Sequence, residues 1–247
     1  MKIIAITQAR VGSSRLPNKV LKKINNKTLL EIHLERILKS ERINELIVAT
    51  TTNTNDDTIM AICDAMHVPY FRGSENDVLE RFYLASVKKN PTHIVRLTSD
   101  CPLIDGHLID EVIEFAISNN LDYCSNTFIE NFPDGQDIEV MKFSALEQAF
   151  KNADKDYQKE HVTPYIREHS SYMGGGLFKS DNYPCPGKYG NTRLTVDEQK
   201  DLDVITILIN DLGVEKKWEE YAIYYENNQH IHSINSTIKR NEGFRKK

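Results

Sequence analysis

The sequence predicts an α/β fold with a parallel or mostly parallel sheet that helices cover on both faces. Short apolar runs typical of buried strands recur at residues 2–8, 45–51, 68–72 and 93–98. Amphipathic segments typical of helices separate these runs. Such alternation favours parallel strands, because each helix returns the chain to the same edge of the sheet.

The helices of the first half are expected at 28–40, 56–67, 76–89 and 105–119. In the first of them, Leu29, Ile32 and Ile37 recur at near-helical spacing. Asp105 is a suitable N-cap for the last. Ligands of such sheets bind at the carboxyl ends of the strands. That rule selects the segments 9–19, 72–77 and 99–102.

The pattern is less regular after residue 121. We expect strands at 122–126, 137–143 and 188–196, helices at 144–152, 156–169 and 197–212, a turn at 131–135 and an irregular Gly- and Pro-rich stretch at 174–187. The chain from residue 227 onward is polar and is predicted to be a solvated tail. One domain with an elaborated second half is favoured over two independent domains.

Composition limits the classes of function. The chain has 247 residues and a net charge of −5. An acidic balance argues against nucleic acid as the main partner. No apolar run is long enough for a membrane span, and no signal-peptide pattern is present, so a cytoplasmic protein without a membrane partner is expected. The four cysteines have no paired spacing, which favours buried reduced thiols over a zinc site or disulfides.

A loop suited to a polyphosphate follows the first strand. Its candidate ligands are Ala9, Arg10, Gly12, Ser13, Ser14, Arg15 and Lys19. Small residues let backbone N–H groups approach phosphate oxygens, while the three cations neutralise charge that would repel an attacking nucleophile. The loop therefore predicts binding of a nucleoside triphosphate. The alternative is a basic loop that is merely solvated.

Two aspartates at predicted strand ends are candidate ligands of Mg²⁺. Asp100 follows the strand at 93–98, and Asp197 follows the strand at 188–196. Magnesium prefers oxygen ligands, commonly one or two carboxylates with substrate phosphates and water. Such an ion would polarise the phosphoryl group and favour deprotonation of an attacking hydroxyl, so no side-chain base is required. The alternative for each aspartate is a helix cap.

Several motifs together resemble one enzyme family. Residues 9–19 (ARVGSSRLPNK) closely resemble the signature loop of the cytidylyltransferases that activate acidic sugars, the CMP-sialate and CMP-KDO synthetase superfamily. Segments 72–82, 95–105, 132–140, 160–166 and 193–197 resemble, in the expected order, the SpsF-like cytidylyltransferases of spore-coat polysaccharide biosynthesis. The resemblance covers about residues 1–210. KDO-activating relatives have Glu where this chain has Cys101, which makes the sugar uncertain.

The resemblance implies a nucleotide-diphospho-sugar transferase fold, a GT-A-like, Rossmann-type three-layer α/β/α sandwich with a mixed, mostly parallel sheet. It implies transfer of CMP from CTP to an acidic or modified sugar, with release of pyrophosphate, for surface polysaccharide biosynthesis. Residues 1–247 would be one nucleotidyltransferase domain with a nucleotide-binding half at 1–120, an acceptor-binding and dimerisation half at 121–215 and a polar tail at 228–247. Relatives commonly form homodimers through the region that corresponds to 125–190.

Roles follow for individual residues. Arg15, Lys19 and Asp100 are the expected catalytic residues, and Arg72, Gly73 and Ser74 are expected to bind the base. The preference for cytosine over uracil depends on the resemblance alone. Arg81 and Arg96 are either site residues or internal ion-pair partners. Gln136, Asp137, His161 and Arg193 are the candidates for acceptor binding, although a histidine on a helix is often structural and Glu160 with His161 could instead form a dimer contact.

Two other functions are compatible with the sequence. A nucleotidyltransferase could act on a non-sugar acceptor, such as a phosphonate or a polyol phosphate. A protein of another class could bind a nucleotide sugar without catalysis, as a glycosyltransferase-like module or a silent partner of an enzyme. The presence of Arg15, Lys19, Asp100 and Asp197 argues against a silent protein.

Overall fold

The computed structural model describes residues 1–240 and contains one large sheet and a two-stranded ribbon. The strands are β1 (Ile3–Gln8), β2 (Lys23–Ile24), β3 (Lys27–Thr28), β4 (Glu45–Thr51), β5 (Tyr70–Gly73), β6 (His93–Thr98), β7 (Tyr123–Ser125), β8 (Glu139–Lys142) and β9 (Ser180–Asn182). The helices are α1 (Leu29–Ile37), α2 (Asp57–Ala65), α3 (Val78–Ser86), α4 (Gly106–Ser118), α5 (Phe143–Asn152), α6 (Asp156–His161), α7 (Pro164–Glu168), α8 (Gln199–Leu212), α9 (Trp218–Asn227) and α10 (Gln229–Asn235).

The large sheet is mixed and mostly parallel, as predicted. Its seven strands have the order β5-β4-β1-β6-β8-β7-β9. β5, β4, β1 and β6 are parallel, with Ile6 of β1 between Ile47 of β4 and Arg96 of β6. β8 is antiparallel to both β6 and β7. The carboxyl ends of β1, β4, β5 and β6 therefore meet at one edge.

Helices cover both faces of the sheet and make the predicted three layers. Alternate residues of β1 belong to different cores: Ala5 packs with residues of α1, α2 and α4, whereas Ile4 and Ile6 pack with residues of α3 and α5. This alternation follows from the two-residue period of a strand. A third apolar cluster joins α1 to α8 and α9.

Local signals explain where several elements begin. Thr28 and Glu31 form a capping box at the start of α1. Asp105 accepts hydrogen bonds from the backbone N–H groups of His107 and Leu108, so its predicted role as the N-cap of α4 is confirmed. The predicted strands 45–51 and 93–98 have the bounds of β4 and β6.

Several elements of the second half differ from the prediction. Residues 188–196 are not a strand of the sheet; Leu194 N–H donates to Asp134 O and Val196 N–H to Asp100 O, so the extended segment pairs with loops. The predicted helix at 156–169 is two helices, α6 and α7. They are separated at Val162, whose φ is 71°. Pro164 has no backbone N–H with which a helix from residue 156 could continue, and it instead occupies the first position of α7.

The predicted polar tail is wrong for residues 229–235, which form α10. Ile231 and Asn235 are buried against the rest of the domain. The Asn235 side chain donates to Asp201 Oδ1 (3.0 Å) and Arg193 O (3.3 Å) and accepts from the Tyr225 hydroxyl (2.7 Å). Arg240, also in the predicted tail, donates to Phe132 O (3.0 Å), and the last residues of the tail, 241–247, lie outside the described residues.

Within residues 1–240, the helices are too short or too polar to cross a bilayer. Cys63, Cys101 and Cys124 are buried thiols and Cys185 is partly exposed. Burial of the first three agrees with their predicted role as small core residues.

Replacing Asn235 with Ala should lower the free energy of unfolding by about 2–4 kcal/mol, because the change leaves buried polar groups without their partners. Chemical denaturation would measure this loss. Ser236→Ala, at an adjacent exposed position, is the matched control and should have little effect. An unchanged stability of Asn235→Ala would contradict the structural role of α10.

Candidate active site

A cleft of about 760 Å³ opens at the edge where the parallel strands end. It is lined by the loop after β1, the segment 74–78 at the start of α3, the end of β6, residues of α6, and Asp197. The structure thus brings together many predicted site residues: Ala9, Arg10, Ser13, Ser14, Arg15, Lys19, Ser74, Asp100, His161 and Asp197.

Lys19 lies between the two candidate metal ligands. Its Nζ is 3.0 Å from Asp100 Oδ2 and 2.8 Å from Asp197 Oδ1. Burial opposes the lysine charge, but the two carboxylates outweigh it and raise the pKa of Lys19 to about 12. Burial likewise opposes the charge of Asp100, whose pKa Lys19 nevertheless holds well below its usual range. Lys19 and Asp100 are therefore both ionised at neutral pH.

The segment before α8 places Asp197 beside Asp100. Val196 N–H donates to the backbone carbonyl of Asp100 (2.8 Å), which fixes the two segments side by side. The Asp197 carboxylate also lies 2.9 Å from Arg15 Nη2 and 3.3 Å from Arg193 Nη2. Three cations therefore hold this carboxylate, two from the loop after β1 and one from residue 193.

A buried histidine supports the segment that contains Asp100. His33 of α1 donates from Nδ1 to the carbonyl of Cys101 (2.8 Å) and accepts at Nε2 from the Thr7 hydroxyl (2.9 Å). Burial lowers the pKa of His33 to about 4. The imidazole is therefore neutral at pH 7, in the tautomer that ties β1, α1 and the chain after β6 together.

The loop after β1 is held from behind, so its polar side faces the cleft. Val11 is buried, and its N–H donates to Asp56 Oδ1 (2.7 Å). Arg10 forms a half-exposed ion pair with Glu75 across the cleft (2.8 Å). Gly12 lines a smaller adjacent groove of about 430 Å³ instead of the cleft.

Two residues that are predicted to bind the base, Arg72 and Gly73, do not line the cleft. Arg72 donates to the carbonyls of Thr51 and Asn53 and pairs with Asp57 (3.0 Å), so its guanidinium braces the end of β4. A Cβ at Gly73 would lie 2.8 Å from Arg81 Cγ, so glycine is required for close packing there. Neither residue lines the cleft, so their role in binding the base stays a prediction.

Gln136 is also placed away from the cleft. Its side chain is fully buried, accepts from Asp105 N–H (3.0 Å) and donates to Leu103 O (2.7 Å). Every bond ties one loop to another inside the domain. The prediction that Gln136 binds the acceptor is therefore wrong.

Arg193 and Asp137 belong to charged networks beside the cleft. Arg193 is buried. It donates to both carboxylate oxygens of Asp201 (2.8 and 3.0 Å) and to Asp134 (2.5 Å). Its predicted role in acceptor binding is therefore corrected to the positioning of Asp197. Asp137 pairs with Arg240 at 2.5 Å and does not line the cleft.

The cleft also contains Gln8, Asp156 and Lys159, which the sequence did not single out, and Glu75, Asn76 and Asp77, which lie in the segment 72–77 that the rule of carboxyl ends selected. Gln8 ends a predicted strand, so the rule of carboxyl ends could have selected it. Lys159 could not be selected, because its direction depends on how α6 packs. Arg96, whose role was open, is an ion-pair partner of the buried Glu139.

The donor set of the cleft fits a magnesium ion that is completed by substrate. Within residues 1–240, the side chains form no cluster of three or more His, Cys, Asp or Glu suited to a metal. Asp100 and Asp197 are, however, two carboxylates that converge on one cationic group, Lys19. Two carboxylates with substrate phosphates are a usual environment for Mg²⁺.

Comparison with known proteins adds independent information. The family model described as "Cytidylyltransferase" matches residues 4–235. The uncharacterized protein MJ1063 of Methanocaldococcus jannaschii is 42% identical, covering 97% of this chain and 96% of its own. The spore coat polysaccharide biosynthesis protein SpsF of Bacillus subtilis is 36% identical, covering 85% and 88%.

Solved structures agree. A cytidylyltransferase from Leptospira borgpetersenii has a TM-score of 0.89 and 32% identity, covering 97% of this chain and all of its own. A CMP:2-keto-3-deoxy-manno-octonic acid synthetase complexed with CTP has a TM-score of 0.62 and 16% identity, covering 85% and 99%. The second likeness shows a shared fold.

The lowered pKa of His33 predicts how the stability of the fold depends on pH. Because its pKa in the folded chain lies below its ordinary value of 6.5, the stability present above pH 6.5 is lost as pH falls towards 4. The loss from this group is about 3 kcal/mol. Unfolding of the wild type and His33→Gln at pH 7 and 4.5 should show their stability difference shrinking at the lower pH. Parallel pH profiles would contradict a neutral His33.

Lys19→Met tests whether the two aspartates can hold a metal ion. Removing the ammonium leaves two facing carboxylates and should destabilise the free chain by about 3 kcal/mol. Adding Mg²⁺ should then raise the melting temperature of the variant more than that of the wild type. The double variant with Asp197→Asn should lose this gain. Equal shifts in all three proteins would contradict the metal site.

Proposed function

This chain belongs to the cytidylyltransferase family, and from that membership we propose that it transfers CMP from CTP to a hydroxyl of an acidic or modified sugar for surface polysaccharide biosynthesis. The predicted resemblance to this family, and to its SpsF-like members, is confirmed. The chain is accordingly a CTP-using nucleotidyltransferase. The polysaccharide role is proposed from the likeness to the spore coat polysaccharide biosynthesis protein SpsF, which is 36% identical.

The observation that supports the proposed chemistry is the convergence of a cationic loop and two carboxylates in one cleft. Arg15 and Lys19 both contact Asp197 in the free chain. We assign them to the triphosphate, whose oxygens would accept the same donors. Ser13 and Ser14 line the cleft beside them and add small polar groups at the phosphate position.

In the proposed reaction, the acceptor oxygen attacks the α-phosphorus and forms a new P–O bond. The bond from that phosphorus to the oxygen bridging the α- and β-phosphates breaks, and its electron pair leaves with pyrophosphate. Arg15 and Lys19 stabilise the negative charge that develops on the leaving group. The hydroxyl proton passes to water, since Asp100 is too weak a base at neutral pH.

Asp100 and Asp197 would hold Mg²⁺ in this reaction. When bound, the ion would neutralise phosphate charge and polarise the α-phosphoryl group. Arg193 keeps Asp197 in position through its own bonds to Asp201. These residues thus prepare the ion's oxygen ligands before substrate arrives.

The acceptor is proposed to bind on the α6 side of the cleft. Lys159 and His161 line this wall, opposite the loop after β1. Within the described residues, Lys159 is not part of an ion pair, so it could bind the carboxylate of an acidic sugar. The homodimer and the cytoplasmic location stay predictions.

Release of pyrophosphate from CTP, measured with a panel of sugar acids, tests the proposed acceptor class. Turnover should require one of these acceptors, and Asp100→Asn should lower it roughly 100-fold or more because the variant loses a charged metal ligand. Asp64→Asn, an exposed position on α2, is the control.

Other outcomes would change the proposal. Turnover only with phosphonates or polyol phosphates would replace the sugar as acceptor. Stabilisation by CTP without turnover on any acceptor would indicate a binding protein. Full activity of Asp100→Asn would contradict the metal assignment.

A further inference from the structure

Val162, between α6 and α7, has a backbone conformation that its residue type rarely adopts. Its φ is 71° and its ψ is −56°, and Thr163 N–H donates to the His161 carbonyl at 2.8 Å. This is the geometry of a γ-turn with positive φ, which is rare and strained for a residue that has a Cβ. Among residues 1–240, seven non-glycine residues have a positive φ, and the other six are five asparagines and one histidine. Those residue types tolerate positive φ, whereas a β-branched residue there is an outlier.

Two anchors impose this turn. The Val162 side chain is fully buried in the apolar cluster that contains Leu146 of α5 and Ile166 of α7. The next residue, Thr163, is buried, and its hydroxyl donates to the buried carboxylate of Glu139 on β8. Both residues of the link between α6 and α7 are therefore held, and the backbone cannot relax without withdrawing one of the two side chains. Burial of the valine side chain offsets the strain.

The strained turn directly follows the part of α6 that is proposed to bind the acceptor. His161 is the last residue of α6 and lines the cleft, and its carbonyl accepts the hydrogen bond that closes the turn. A relaxed link would change the direction in which α6 ends, and with it the position of His161. Backbone strain of this kind clusters at active sites, where it holds a geometry that function requires.

We infer that Val162 is a positioning residue whose strained turn fixes the end of α6, so that His161 meets the acceptor. A glycine would adopt this φ without strain but would leave the link free to take other conformations, whereas the buried valine side chain selects one. The inference rests on the proposed function, in which this wall of the cleft binds the acceptor. It assigns no role to Val162 in the binding of CTP.

Melting temperatures of Val162→Ala and Val162→Gly test the strain. Alanine keeps the Cβ and therefore the strain, while glycine loses both, so Val162→Gly should melt about 2–4 °C above Val162→Ala. Val112, which is buried on α4 with a helical backbone, is the matched control. There the usual order should hold, with Val112→Gly below Val112→Ala, because glycine is unfavourable inside a helix.

NMR spectra of the histidine rings in the free chain test the position of His161. The His161→Gln variant assigns the signals of this ring. Val162→Gly should move and broaden these signals, because the link becomes free to take several conformations. Val162→Ala should leave them closer to those of the wild type, because it retains the strained turn.

Kinetics with a sugar acid that the wild type turns over test the effect on the acceptor. At a temperature well below every melting point, KM for that acid should rise roughly 10-fold in Val162→Gly and about 2-fold in Val162→Ala. KM for CTP should stay unchanged in both variants. The two Val112 variants should keep the wild-type KM for both substrates.

A purely structural role predicts that activity follows stability. Val162→Gly would then melt below Val162→Ala and also bind the acid less well, and that melting order would overturn the inference. Unchanged His161 signals in Val162→Gly, or equal rises of KM for CTP and for the acid, would overturn it as well. If the wild type turns over no sugar acid, the proposed acceptor class is contradicted, while the melting order and the His161 signals still decide the role of Val162.

Discussion

The arrangement of the cleft depends on the ammonium group of Lys19 between two carboxylates. Asp100 and Asp197 are 81 and 178 residues from Lys19 in sequence, yet both contact its Nζ. Two partly buried carboxylates this close would repel each other without a cation. Much of the surrounding structure maintains this contact: His33 holds the segment after β6, and Arg193 anchors Asp197 from the opposite side.

The first half of the fold could be predicted because its signals are local. β4 and β6 are buried apolar runs, and the Asp105 cap depends on the next residues in sequence. The later elements depend on distant partners. Within 188–196, residues 190 and 191 form a turn and the chain after them bonds to loops at Asp134 and Asp100, and no local pattern distinguishes such a segment from a strand. α10 is polar in sequence, yet Asn235 is buried because Arg193, Asp201 and Tyr225 supply its bonds.

The residues of the site likewise fall into those that the sequence could identify and those whose place depends on distant contacts. The structure brings Arg15, Lys19, Asp100 and Asp197 into one cleft, since each follows or is expected to follow an extended segment near one edge of the sheet. Alternation placed Gln136 on one face of its segment but could not show how deep it lies, and it is fully buried. The position of Arg81 in the cleft could not be predicted from sequence either, because it depends on how α3 packs against β5.

The antiparallel strand β8 has a consequence for how such a chain can diversify. A parallel strand must be reached by a crossover, whereas β8 begins at the edge where β6 ends, because Glu139 pairs with Arg96. The loop at 126–138 therefore reaches the ligand edge without a helix that must pack on the sheet. Insertions at its exposed residues 129 and 130 would leave the register of β5, β4, β1 and β6 intact and would spare Asp134, which bonds to Arg193 beside Asp197. The chain could thus diversify at this loop while conserving the residues that position Asp197.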